Sequence, residues 1–161
     1  MGVTSPSRVR AGGDLPLVTG LMPAVLEKGR PFRFEARGTS MEPCIVDGDI
    51  LTVVPLAGSG PRRGDVAAFV HPASGGVRVH RVVKVEAGRY VLKGDNALDA
   101  DGALDRDQIL GVVVRLERAG RVRPVGPGFG AALWARLSRS ALVVRVARRA
   151  RRLAGARKGR P

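Results

Sequence analysis

The apolar residues of this chain come in short runs, and glycine or proline cuts those runs every 8–15 residues. With 22 glycines and 11 prolines, an uninterrupted helical bundle has nowhere to form. Phe32, Phe34 and Ala36 alternate with Arg33, Glu35 and Arg37, the period-two pattern of a half-buried strand. Five further runs read as strands: residues 50–54, 65–70, 77–85, 89–93 and 109–117. Residues 121–125 make one more. Turns fall at Asp47-Gly48-Asp49, Ser74-Gly75-Gly76, Ala87-Gly88 and Ala119-Gly120. On the run at 77–85, Val77, Val79, Val83 and Val85 share one face, interrupted by Arg81. Arg78, His80, Val82 and Lys84 share the other, which reads as polar. Six or seven short strands predict a mainly β protein, a barrel or a folded sheet.

Four segments fall outside that pattern. Residues 15–28 predict a short helix, with Asp14 as its cap, Pro16 in the first turn, a kink or restart at Pro23 and a stop at Gly29. Residues 1–13 are rich in Gly, Ser, Arg and Pro and predict a mobile start. Residues 94–107 are acidic and loop-like. Residues 131–153 are helical by composition, yet their arginines point almost all round, so they make a poor amphipathic helix. The chain therefore divides into an N-terminal segment and helix (1–30), a β domain (31–126) and a basic tail (127–161).

Charge sharpens that division. The formal net charge is +14, from 28 basic and 14 acidic side chains. Residues 131–161 hold ten of the basic residues and no acid, so the remainder is close to neutral. Such a tail suits an anionic lipid surface or a nucleic acid, and equally a solvated solubility tail. Trp134 opens it, placed for a lipid interface or for docking on the β domain. Aromatics are 4% of the chain, too few for a base-stacking surface. A single cysteine, Cys44, excludes an internal disulfide and a thiolate metal cluster and reads as a small core residue. With two histidines, His71 and His80, neither a metal site nor a cofactor is expected. No run reaches the ~20 apolar residues of a membrane span, and no signal peptide is visible. A cytoplasmic or peripherally membrane-associated protein is the expectation.

Ser40 stands where the strand at 32–36 breaks, directly after Gly38-Thr39 and before Pro43. A serine at such a break can project its hydroxyl while nearby amide N–H groups stay free to stabilise an oxyanion. It needs a base, and His80, mid-strand, has the intrinsic chemistry of one near neutrality. Asp95, Asp99 and Asp101 lie in one loop after the adjoining strand, where a carboxylate could orient His80. By spacing alone the bland readings prevail: a turn serine and a surface histidine. Lys84, on the face of His80, stands about 13 Å along the strand and reads as exposed charge. His71, before Pro72, reads as solvent-exposed, and Met41 as packing beneath Ser40.

Five short stretches raise the estimate. Gly38-Thr39-Ser40-Met41-Glu42-Pro43, Asp47-Gly48-Asp49, Arg63-Gly64-Asp65-Val66, Val79-His80-Arg81-Val82-Val83 and Lys93-Gly94-Asp95-Asn96 occur in that order. Together they resemble the boxes of the signal peptidase superfamily, which includes the self-cleaving SOS repressors, over about residues 32–125. The resemblance implies a signal-peptidase-like folded sheet with Ser40 as nucleophile. Histidine rather than lysine before Arg81 resembles the serine–histidine branch, which makes His80 the general base. Asp95 and Asp101 then support the site, with Asp99 as an alternative to Asp101. Gly38, Thr39 and Met41 fall at the oxyanion and substrate-binding positions. Gly38 departs from the pattern, because many members carry there a serine that helps hold the oxyanion.

The implied function is a serine endopeptidase acting on a peptide or preprotein, with an anionic membrane surface as a partner through the tail. Two alternatives remain: a catalytically weak or inactive peptide-binding module, and a self-cleaving, nucleic-acid-associated regulator. Against the regulator, 39 residues precede Ser40, short for a helix-turn-helix domain with a linker. The sequence leaves the oligomeric state open.

Overall fold

The computed structural model describes residues 9–10 and 16–126. Helix α1 (Pro16–Glu27) places Val18, Met22 and Leu26, four residues apart, on one buried stripe. It is continuous through Pro23, so the helix does not restart there. Gly29, at φ 70°, ends it: its N–H donates to the Leu26 carbonyl and that of Arg30 to Val25, the paired bonds of a left-handed helix stop. The expected Asp14 cap lies outside the described residues.

Among the described residues nine strands follow or precede it: β1 (Val9–Arg10), β2 (Phe32–Glu35), β3 (Ile50–Pro55), β4 (Val66–Val70), β5 (Val77–Glu86), β6 (Arg89–Lys93), β7 (Ala103–Leu104), β8 (Ile109–Arg118) and β9 (Arg121–Pro124). They form one sheet in the order β1-β2-β3-β8-β4-β5-β6-β7, with β9 beside β8. No pairing among the described residues joins β7 to β1, so the sheet is folded but open rather than a closed barrel. All pairings are antiparallel except β1 with β2. The ten-residue β8 pairs with β3 along one edge, and with β4 and then β9 along the other.

That folding gives the sheet two cores. One holds α1, Phe32, Phe34, Met41, Ile45, Leu51 and Val53; the other holds Phe69, Val82, Tyr90, Leu92, Leu104 and Ile109. Strand β4 lies between them. Val66 and Ala68 face the first, Ala67 and Phe69 the second, so its run is apolar on both faces. Two hairpins turn at residues with positive φ, Ala87-Gly88 and Ala119-Gly120, a conformation that fits the right-handed twist of paired strands.

Several details depart from the sequence expectations. Val9–Arg10 is a strand inside the segment expected to be mobile. The acidic loop carries β7 and a short 3₁₀ turn at Arg106–Gln108. The middle of the β5 face that reads as polar is buried instead, with His80 5% and Val82 0% exposed and Val82 in the second core, while Arg78 and Lys84 on either side stay exposed. A register shift between Val82 and Lys84 breaks the alternation of β5 and leaves Val85 exposed. The expected tail helix at 131–153, with Trp134, lies outside the described residues.

Candidate active site

The turn that carries Ser40 is held by its own backbone and by two buried anchors. Gly38, at φ 88°, donates its N–H to Asp47 Oδ1 at 2.8 Å. The Thr39 carbonyl accepts from Glu42 N–H and the Met41 carbonyl from Ile45 N–H. The side chains of Met41 and Ile45 sink into the first core, leaving Ser40 exposed at the crest. Met41 therefore faces inward, and only its backbone is available to a substrate. Below the turn, buried Asp49 accepts from Val46 N–H and from both Nε (2.8 Å) and Nη2 (2.7 Å) of Arg118. Arg118 also donates to the Cys44 carbonyl, and half-buried Cys44 packs against the first core. The Asp49 hydrogen bonds raise the Arg118 pKa above the ordinary arginine value.

Strand β5 brings His80 to that crest. His80 pairs with Ala67 of β4, and its ring packs 5.8 Å from the ring of Phe69. Its Nε2 lies 3.0 Å from Ser40 Oγ. Its Nδ1 lies 2.5 Å from Asp101 Oδ2. An Nδ1 proton donated to Asp101 leaves Nε2 with a free lone pair, able to accept the hydroxyl proton of Ser40. The side chains of His80 and Asp101 are each 7% exposed, so the pair is shielded while the serine is open.

The three candidate aspartates separate cleanly. Asp101 alone reaches His80. Asp95 turns to the opposite side of β5 and accepts from Arg81 Nε at 2.8 Å and Nη2 at 2.7 Å. Arg81 also donates to the Gly64 carbonyl. Burial works against the charge on Arg81, and the hydrogen bonds and charge of Asp95 more than offset it, so its pKa is raised. Asp99 acts on Lys93: burial lowers the Lys93 pKa, and the Asp99 charge opposes that shift. Lys84 points away and pairs with Glu86.

The loop after β6 closes on the backbone of the Ser40 turn. Asn96 donates its N–H to the Ser40 carbonyl at 2.7 Å and its side-chain amide to the Thr39 carbonyl at 3.1 Å. Gly94 lies so close that a Cβ there would stand 2.7 Å from the Ser40 carbonyl oxygen and 3.1 Å from His80 Nε2. Three distant segments thus converge: the turn after β2, the middle of β5, and the loop between β6 and β7.

A family model described as Peptidase S24-like matches residues 7–114, which contain all three segments. The chain belongs to the Peptidase S24-like family. No curated protein matches it. Membership fits the resemblance to the signal peptidase and SOS-repressor superfamily and gives the chain a peptidase-like fold. Among the described residues of this Peptidase S24-like domain, no helix is long and apolar enough to cross a membrane.

Sequence reasoning missed four neighbours of the site. His71, expected in solvent, is half-buried, with Nε2 3.9 Å from Asp101 Oδ1. Arg78 Nη1 lies 3.6 Å from the same oxygen. The period-two pattern already put Arg78 on the face of His80, but nothing in it located Asp101 beyond. Gly94 and Asn96 sit within one of the five boxes, and only the folded chain shows that they touch the Ser40 turn.

Proposed function

We propose that this protein is a serine endopeptidase in which Ser40 is the nucleophile, His80 the general base and Asp101 its orienting carboxylate. The observation that supports this most is the unbroken chain of contacts from Ser40 Oγ through the His80 ring to Asp101. Ser40 Oγ attacks the peptide carbonyl carbon while its proton passes to His80 Nε2. Asp101 stabilises the imidazolium that forms. The imidazolium then protonates the leaving amine, and a water deprotonated by His80 hydrolyses the acyl-enzyme.

The oxyanion requires donors near Ser40. Gly38 offers no side chain, and the backbone N–H groups of Ser40 and Met41 donate to no partner among the described residues, so they are free for this task. Loss of one donor relative to a serine at position 38 costs about 10²–10³ in rate, which makes this a slow enzyme of its type. An extended peptide added as a strand beside Ser40 is the substrate form that fits, and the resemblance to the signal peptidase superfamily implies small side chains near the cut. The basic segment 131–161 attaches the enzyme to anionic lipid, where leader-bearing precursors are presented.

The test is acylation by a fluorophosphonate probe. The wild-type chain should be labelled once, at Ser40, and Ser40→Ala should not be labelled while melting at the same temperature. Equal labelling of the alanine variant refutes the assignment. Family membership also brings self-cleavage into view; that reaction uses the same groups in cis and would show a rate independent of protein concentration.

A further inference from the structure

Asp101 has two carboxylate oxygens, and the proposed reaction uses one. Oδ2 lies 2.5 Å from His80 Nδ1. Oδ1 faces two other side chains, Arg78 Nη1 at 3.6 Å and His71 Nε2 at 3.9 Å. The Asp101 side chain is 7% exposed, so these groups, rather than bulk water, surround its second oxygen.

Two neighbouring strands bring this about. Arg78 precedes His80 by two residues on β5, and so shares its face. Arg78 pairs in register with Phe69 at the end of β4, and His71 follows two residues later. The Phe69 ring stands 6.4 Å from the ring of His71 and 5.8 Å from that of His80, so one aromatic ring packs near both imidazoles that face Asp101. His71 is itself steadied by Ser74 Oγ, 3.2 Å from its Nδ1.

We propose that Arg78 and His71 are positioning residues that hold Asp101 by its second oxygen and thereby set how strongly His80 retains a proton. At 3.6 Å the Arg78 contact is longer than a good hydrogen bond, so its influence is mainly Coulombic. A carboxylate shared with a guanidinium offers less negative potential to the imidazole. Removing Arg78 leaves the Asp101 charge to His80 alone, favours the imidazolium, and moves the His80 titration to higher pH. His71 adds charge at the same oxygen only when protonated. The other charged groups nearby stay constant: Arg81 and Asp95 satisfy each other across the strand, and Lys93 responds to Asp99.

The chain holds two histidines, so histidine-labelled NMR of the full chain resolves both. The Arg78 side chain is 45% exposed, which makes Arg78→Gln compatible with the fold. Arg78→Gln should raise the His80 midpoint above that of the wild-type chain titrated alongside it. Arg78→Lys, which keeps the charge, should move it less. His71→Gln, which removes the second side chain at Oδ1, should move the His80 midpoint in the same direction by a smaller amount. A midpoint unmoved in Arg78→Gln, or moved equally in Arg78→Lys, overturns the proposal. The acid limb of Ser40 acylation should shift in the same direction. That kinetic arm alone rests on the peptidase reading: a shifted His80 titration in a chain that never acylates would refute the peptidase and leave the clamp on Asp101 standing.

Discussion

Adding one methyl group at Gly94 should disable the site while barely disturbing the fold. A Cβ at position 94 would stand 2.7 Å from the Ser40 carbonyl oxygen, 3.1 Å from His80 Nε2 and 3.2 Å from the Ala97 Cβ. Ordinary contact needs about 3.4 Å or more, so the Ser40 backbone must retreat by about 0.7 Å and the imidazole by a few tenths. Both movements act on one hydrogen bond. Ser40 Oγ and His80 Nε2 now stand 3.0 Å apart, and such a retreat carries them toward or past the limit of useful proton transfer. A misplacement approaching 1 Å costs about 10²-fold in rate. Overpacking of a single methyl costs about 1–3 kcal/mol, and the lower end applies because Ser40 lies on an exposed turn. Gly94→Ala should therefore acylate about 100-fold more slowly with fluorophosphonate, with a small fall in the urea midpoint. Gly94→Ala acylating at the wild-type rate would refute the reasoning, since the turn would then yield without moving its hydroxyl.

The remaining predictions separate the two aspartates and test the tail. Asp101→Asn, which leaves His80 without an anionic partner, should lower acylation by about 10³–10⁴-fold with melting little changed. Asp95→Asn removes one member of a pair whose side chains are 3% and 0% exposed, and should cost about 3–5 kcal/mol in urea unfolding while folded molecules still acylate. The full chain should float with anionic vesicles at low salt and be released near 1 M salt, where the Debye length is about 3 Å; flotation that ignores salt would remove the electrostatic reading of residues 131–161.

The strands were legible because their signals are local. Alternation at Phe32 and Phe34, and turn residues at Ala87-Gly88 and Ala119-Gly120, act within a few positions and fold as their pattern says. The burial of His80 was not legible. The pattern of β5 marks its face as polar, and only the folding of the sheet over a second core turns the middle of that face inward. The same limit hid the choice among Asp95, Asp99 and Asp101. They are spaced within one loop, and the direction of each side chain depends on where β5 and β6 carry the loop's ends. His71 illustrates the reverse error. Beside Pro72 it has the look of a loop-tip residue, yet the β4–β5 register swings it back against Asp101.

Two aspartates outside the Ser40–His80–Asp101 chain perform a task that short motifs conceal. Asp49 and Asp95 are each buried, and each takes two hydrogen bonds from one guanidinium, Arg118 and Arg81 respectively. Arg118 reaches from the end of β8 to the base of the Ser40 turn, and Asp95 begins the loop that ends in Asp101. The Ser40 turn and the Asp101 loop must meet to within a hydrogen bond on either side of His80, yet neither is a strand that the sheet would hold in place. A bidentate Asp–Arg pair fixes orientation as well as distance, and burial makes each pair costly to break. The rigidity that a serine, a histidine and an aspartate need is thus supplied one layer below them. It also explains why these aspartates stand in short boxes close along the chain to Ser40 and Asp101. Each lies within nine residues of Ser40 or six of Asp101 along the chain, because a loop is best anchored close to the residue it presents.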